Sequence, residues 1–167
     1  DLELANPDPF VPDFLEVDPC KIKLYPAFVD RDAPRNLIIA EPTDFEVRGT
    51  DGDDEQRGNA DTNYMMGPWG SDFFRGGQGD DTANYRESPC AVEVNLQEGY
   101  GIGGYANGDF YRSIENVIGS LFDDLLIGNN GANRLSGLEG DDTLVGGAGN
   151  DTLLGSFGDD VLFGGTG

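Results

Sequence analysis

The chain has 167 residues, with 32 acidic against 10 basic side chains, no histidine and a net charge of −22. Such acidity excludes the usual nucleic-acid binder, whose surface is basic, and a chain without histidine cannot assemble an HExxH zinc protease or a Ser-His-Asp hydrolase. No apolar run approaches the ~18 residues of a membrane span, so no transmembrane segment is expected, and contact with anionic lipid would need a cation bridge.

Residues 1–46 contain seven prolines from Pro7 to Pro42, which exclude a long helix and cut any strand short. Short strands are expected at KIKLYPAFV, 21–29, and NLIIA, 36–40. This is too little to build a core alone, so the segment reads as an arm that docks on or covers the rest. The chain starts at Asp1 rather than Met, which reads as a processed product or a fragment. Cys20 lies in the arm and Cys90 far beyond it; an even count favours a bridge in an oxidising compartment, with two unrelated thiols as the alternative. Two cysteines without histidine cannot complete a zinc site.

From Gly49 a glycine returns every nine residues: GTDGDDEQR, GNADTNYMM, GPWGSDFFR and GGQGDDTAN, residues 49–84. A short fixed period marks a solenoid, in which each unit buries its apolar face against its neighbours. Position six carries Asp54, Asn63, Asp72 and Asp81, and position eight carries Gln56, Met65, Phe74 and Ala83. The register then lapses from Tyr85 to Ile118. AVEVNL, 91–96, reads as an alternating strand, GYGIGGYANG as a mobile loop, and the whole as one enlarged coil that carries the solenoid through. Asp109 and Glu115 are candidates to lend oxygen ligands there. Tyr100, Tyr105, Phe110 and Tyr111 are candidates for a sugar-stacking patch, although aromatics near a core more often pack.

The period resumes at Gly119 and runs through residue 167, with Asp124, Asn133, Asp142, Asp151 and Asp160 at position six and Leu126, Leu135, Leu144, Leu153 and Leu162 at position eight. Six residues of turn and three of strand make half a coil. Two short parallel sheets then stand back to back with the leucines between them, and alternate repeats lie one strand spacing, ~4.8 Å, apart. Like carboxylates at that distance repel unless a cation lies between them, and oxygen ligands on glycine-rich turns suit a hard cation. Beside the buried leucines, Leu125, Ile127, Thr143, Val145, Val161 and Phe163 form an apolar stripe on one sheet, an expected interface with the arm or another subunit.

GGQGDDTAN and GGAGNDTLL resemble the GGxGxDxUx nonapeptide of the RTX (repeats in toxin) proteins, and SIENVIGSLFDDLLIGNNGANRLSG resembles the passage leading into their repeat blocks. The resemblance implies an all-β, right-handed parallel β-roll over 47–167, with repeats at 49–84, the enlarged coil at 85–118 and repeats at 119–167. It implies several Ca²⁺ ions between turns, held by the position-six side chains and by turn carbonyls near Gly49, Gly67, Gly76, Gly119, Gly128, Gly137, Gly146, Gly155 and Gly164. The pairs would be Asp54 with Asp72, Asn63 with Asp81, Asp124 with Asp142, Asp142 with Asp160, and Asn133 with Asp151, and the neutral Asn63 and Asn133 should make weaker sites. Nearly all carboxylates being absorbed this way, no enzyme is expected. The expected role is a secreted or surface-displayed calcium-dependent structural protein, folded outside a calcium-poor cytoplasm. The other reading is an accessory module of a larger secreted enzyme or adhesin, with polysaccharide as a possible partner and self-association as the competing one.

Overall fold

Three residues of strand per nonamer can hold a shape only if each strand is paired on both sides and one of its three side chains is buried. Both conditions are met by the inner strands of the computed structural model, which describes Cys20 and residues 35–167. The strands are β1 (Asn36–Ile39), β2 (Glu46–Arg48), β3 (Asp54–Arg57), β4 (Tyr64–Met66), β5 (Phe73–Arg75), β6 (Thr82–Asn84), β7 (Glu93–Asn95), β8 (Tyr100–Ile102), β9 (Phe110–Arg112), β10 (Asn116–Ile118), β11 (Leu125–Ile127), β12 (Arg134–Glu139), β13 (Thr143–Val145), β14 (Thr152–Phe157) and β15 (Val161–Phe163). They wind into a solenoid of about 7 turns. One sheet has nine strands in the order β1-β3-β5-β9-β8-β7-β11-β13-β15, the other six in the order β14-β12-β10-β6-β4-β2.

Within a block the pairing is parallel, and partners stand one full coil apart, as with Leu126 opposite Leu144 and Leu144 opposite Leu162. The middle residue of each strand points inward, so β4, β5, β10, β11 and β13 all show a half-buried, buried, half-buried pattern. The six-stranded sheet contributes the inner ladder Val47, Met65, Ala83, Val117, Leu135, Leu153. Leu126, Leu135 and Leu144 are fully buried, each worth about 1.5–3 kcal/mol of transfer free energy. The irregular position-eight residues of the first block pack equally deep. Small Ala83 shares its cluster with the Phe74, Tyr85 and Tyr111 rings, and buried Gln56 donates its Nε2 to Met66 O at 2.9 Å.

The interruption departs from the expected enlarged coil. On the six-stranded side β10 lies directly between β6 and β12, so the roll does continue. On the other side the chain makes a meander: β7 pairs in parallel with β11, β8 runs antiparallel to both neighbours, and β9 pairs in parallel with β5. The GYGIGGYANG segment is therefore ordered structure, comprising β8 and a 3-10 turn at Gly104–Ala106. Its glycines serve close approach: a Cβ on Gly101 would collide with the Tyr111 hydroxyl and the Ala106 carbonyl.

The roll also begins earlier than residue 47. The NLII segment pairs with β3 and Glu46–Arg48 pairs with β4, because strand addition needs only backbone groups and not the repeat motif. The predicted strand at 21–29 lies outside the described residues. Cys20 and Cys90 form a disulfide across 70 residues, which ties the arm to the segment leading into β7. Closing a loop of that length contributes about 4 kcal/mol in the chain-entropy model. The apolar stripe is in register as expected, Leu125 against Thr143 and Val161, and Ile127 against Val145 and Phe163. β1 does not cover it, since β1 pairs at the opposite end of the same sheet.

Candidate metal-binding turns

The position-six residues fall into two columns, one beside each sheet. Beside the nine-stranded sheet the column reads Asn36, Asp54, Asp72, Asp109, then, across the meander, Val92, Asp124, Asp142, Asp160. Beside the six-stranded sheet it reads Asn63, Asp81, Glu115, Asn133, Asp151 without a break. In most steps the backbone N–H of one member donates to a carboxylate oxygen of the next: Asp54 N to Asp72 Oδ1 at 2.9 Å, Asp124 N to Asp142 Oδ1 at 2.8 Å, Asn133 N to Asp151 Oδ1 at 2.9 Å. Two steps differ, since Asn36 N donates to Asp53 O and Glu115 N to Asp81 O. Asp54, Asn63, Asp72, Asp81, Asp109, Asp124, Asn133 and Asp142 are all buried.

One oxygen of each acid but Asp54 is thus used, and the other depends on the turn. Repeats that open a block satisfy it internally. Thr50 donates both N–H and hydroxyl to Asp54 Oδ2, Ser120 N–H donates to Asp124 Oδ2, and Asn59 and Asn129 donate N–H to the Oδ1 of Asn63 and Asn133. In later repeats position two is Pro68, with no N–H, or has positive φ, as at Gly77, Leu138, Gly147 and Ser156. The buried Oδ2 atoms of Asp72, Asp81, Asp142 and Asp151 then have no protein donor, and neither does Asp54 Oδ1. They point at the position-one glycines, where a Cβ would collide with them: Gly67 meets Asp72 Oδ2, Gly137 meets Asp142 Oδ2, and Gly146 meets both Asp151 Oδ2 and the Gly164 carbonyl. Left-handed backbone is costly for Ser156, at φ 85, and this serine stands where the motif places glycine. Ser156→Gly is expected to stabilise the last coil by about 1 kcal/mol, read as a raised urea midpoint at fixed calcium.

The electrostatics carry the same message. Burial is the leading cause that pushes Asp72 up to about 8, with the neighbouring Asp54 charge adding to it. Burial likewise raises Asp81, Asp124 and Asp142 to about 6 and lifts Glu115. Asp109 is raised well above the ordinary range, first by burial and then by Asp72. Asp72, Asp81 and Asp142 combine resistance to ionising with an unpaired oxygen, which is what a column of cation ligands looks like without its cations.

Each expected pair is brought together, and in every buried pair the second member holds the unpaired oxygen. Asp160, the partner of Asp142, is only half buried. Asn63 and Asn133 behave differently from the acids, their Nδ2 groups donating to Asp44 O and Glu115 O at 2.7 Å, so an amide proton fills part of the space. Among the described residues no three acidic or cysteine side chains converge on one point, so a cation here must draw on backbone carbonyls as well as paired carboxylates. The sequence reading missed a second acidic row at position five. Asp53 accepts from Ser71 N, Asp123 from Asp141 N and Asp141 from Asp159 N, each at 2.8–2.9 Å, stapling the coils in the opposite sense. The recurring DD dipeptide was its signal. Of the four aromatics considered for sugar stacking, Phe110 and Tyr111 are buried, and Tyr105 packs edge-on against Trp69.

A parallel β-roll whose turns align buried carboxylates and carbonyls one coil apart defines a calcium-binding solenoid. The family model for the RTX calcium-binding nonapeptide repeat matches residues 48–83, 114–144 and 136–167. The chain belongs to that family. No curated protein matches it.

The residues present fit Ca²⁺. Carboxylate oxygens of Asp54, Asp72, Asp81, Asp124, Asp142, Asp151 and Asp160, with turn carbonyls such as that of Gly164, would hold it. Ca²⁺ supplies charge neutralisation and cross-linking between coils.

Proposed function

We propose that this is a calcium-dependent structural module that works outside the cell, where the roll is a rigid spacer and the arm and apolar stripe dock to a partner surface or to further copies. The observation that carries it is the double column of buried acids with unpaired oxygens, which gives the chain a reason to fold only where calcium is plentiful. The Cys20–Cys90 disulfide supports an oxidising compartment. Val161 and Phe163, at 46% and 56% exposure, leave the far end of the stripe open to a docking surface. No helix among the described residues is long and apolar enough to cross a membrane. Size-exclusion chromatography with light scattering at millimolar calcium tests the assembly role. A mass that rises with concentration supports it. A concentration-independent monomer that is retained on immobilised acidic polysaccharide would replace it with the accessory-module reading.

A further inference from the structure

We propose that Asp81, Ser113 and Glu115 form a cation site inside the interruption, taking one hard divalent cation such as Ca²⁺ between β6 and β10. The proposal rests on the calcium reading above and adds to it a site in which a repeat aspartate, Asp81, is completed by Ser113 and Glu115 from the interruption. In this stretch the six-stranded sheet is unbroken, and Asn116 lies opposite Thr82, which sets Glu115 beside Asp81. The two are locked in register: Asp81 N–H donates to Glu115 Oε2 at 2.9 Å and Glu115 N–H donates to Asp81 O at 3.1 Å. Glu115 thus takes the place that a position-six aspartate holds in a repeat.

The second half of the site comes from Ser113. It is a non-glycine residue with φ 52, a left-handed conformation that a serine rarely adopts without a reason. The consequence is that its carbonyl enters the space beside Gly76, where a Cβ would collide with both Ser113 O and Asp81 Oδ2. In the repeats that space is shared by the position-six oxygen and the position-one carbonyl of the next coil: Asn63 Oδ1 with Gly76 O, Asn133 Oδ1 with Gly146 O, Asp151 Oδ2 with Gly164 O. Ser113 therefore supplies, from a stretch with no repeat, the carbonyl that a position-one glycine supplies elsewhere. Asp81 is fully buried and its Oδ2 has no donor, so carboxylate and carbonyl oxygens face one another with nothing positive between them. A cation resolves that opposition.

The other side of the roll shows the contrast. Asp109 also sits in a column, but both its oxygens are held by protein donors, Oδ1 by Asp72 N–H at 2.8 Å and Oδ2 by the Tyr85 hydroxyl at 2.7 Å, with Tyr111 completing the cluster. Beside Gly67 the nearest atom from any residue other than Asp72 is in the Phe74 ring. The next column position is Val92, which has no side-chain oxygen. The column of side-chain oxygens is therefore broken beside the nine-stranded sheet and continuous beside the six-stranded one, and Glu115 is the residue that carries it through.

Native mass spectrometry and calorimetric titration of the full chain with Ca²⁺ test this, with Glu115→Gln and Asp109→Asn as the variants. Glu115→Gln keeps an acceptor for Asp81 N–H and should lose one ion from the wild-type count; Asp109→Asn should keep every ion. A full count in Glu115→Gln, or the same loss in Asp109→Asn, overturns the proposal. Should Glu115→Gln not fold, crystals of the wild-type chain with a lanthanide give a second measurement. An anomalous peak between Asp81 and Glu115 supports the site, and filled repeat sites with no peak there sink it. A wild-type chain that binds no calcium at all would instead refute the calcium reading itself.

Discussion

Exhaustive chelation of calcium is expected to abolish the β-roll, seen as loss of the far-UV β signal and an increase in hydrodynamic radius, and readdition of millimolar Ca²⁺ to restore both. The balance of magnitudes sets this outcome. Five intervals, Asp54 to Asp72, Asp72 to Asp109, Asp81 to Glu115, Asp124 to Asp142 and Asp142 to Asp160, place carboxylates next to one another in a column. At ~4.8 Å and an effective dielectric of ~20, each ionised pair repels by about 3–4 kcal/mol. Together these rival the whole stability of an ordinary domain, about 5–15 kcal/mol, before the remaining excess of the −22 net charge is considered. The apolar ladder cannot offset this alone, since each regular coil of the repeat blocks adds only two inward side chains from position eight. Cations reverse the sign of every interval they fill, and because the site does not exist in the unfolded chain, their binding free energy becomes folding free energy. A roll that persists in EDTA, or density that is empty between the aspartate turns of a calcium-grown crystal, would overturn this account.

Protons should partly replace the metal, in a direction fixed by the raised carboxyls. Asp72 is lifted to about 8, and Asp81, Asp124 and Asp142 to about 6, chiefly by burial. In the metal-free folded state these groups hold protons that the unfolded chain, with ordinary aspartate values near ~3.9, has already released. The folded state therefore binds more protons between about pH 4 and 8, and stability falls as pH rises through that window. The chelated chain should regain β structure near pH 4–5 and lose it again by pH 8, and calcium should abolish this dependence by taking the protons' place.

What was legible in the sequence was what the repeat period fixes. Nine residues of fixed phase determine which side chain turns inward and which oxygen joins a column, so Leu135 in the core and Asp142 opposite Asp160 follow from spacing alone. The meander did not follow. Nothing periodic distinguishes a coil from a hairpin in Tyr85–Ile118, and the deciding feature, room at Gly101 for the Tyr111 hydroxyl, is a contact between residues with no repeating relation. Nor did the start of the roll, because β1 and β2 add to the sheets through backbone groups that every sequence carries. The difference between block-opening and later turns was written in the sequence as Thr50, Asn59, Ser120 and Asn129 at position two, but its meaning depends on which N–H reaches which oxygen. The asparagines likewise read as weaker ligands, whereas their amide protons tie Asn63 to Asp44 O and Asn133 to Glu115 O.

Asp142→Ala should cost far more calcium than Asp54→Ala. Asp142 lies in the middle of its column, accepting Asp124 N–H on one side and donating its own N–H to Asp160 on the other, so its carboxylate borders two intervals. Its Oδ2 is buried with no protein donor. Removing the side chain strands Asp124 N–H, a loss of about 1–3 kcal/mol, and takes a ligand from two ions at once. Asp54 borders Asp72 on one side only; on its other flank Thr50 donates to its Oδ2 from backbone and hydroxyl, and the neighbouring column member Asn36 is neutral, so its unpaired Oδ1 faces no second carboxylate there. Calorimetry should therefore show two ions lost or weakened in Asp142→Ala against one in Asp54→Ala, with the calcium midpoint of folding raised roughly tenfold more in the first, a difference of about 1.4 kcal/mol. Equal losses would mean that each turn holds its ion independently, and the stacked scheme would have to be abandoned in favour of nine separate loops that happen to share a period.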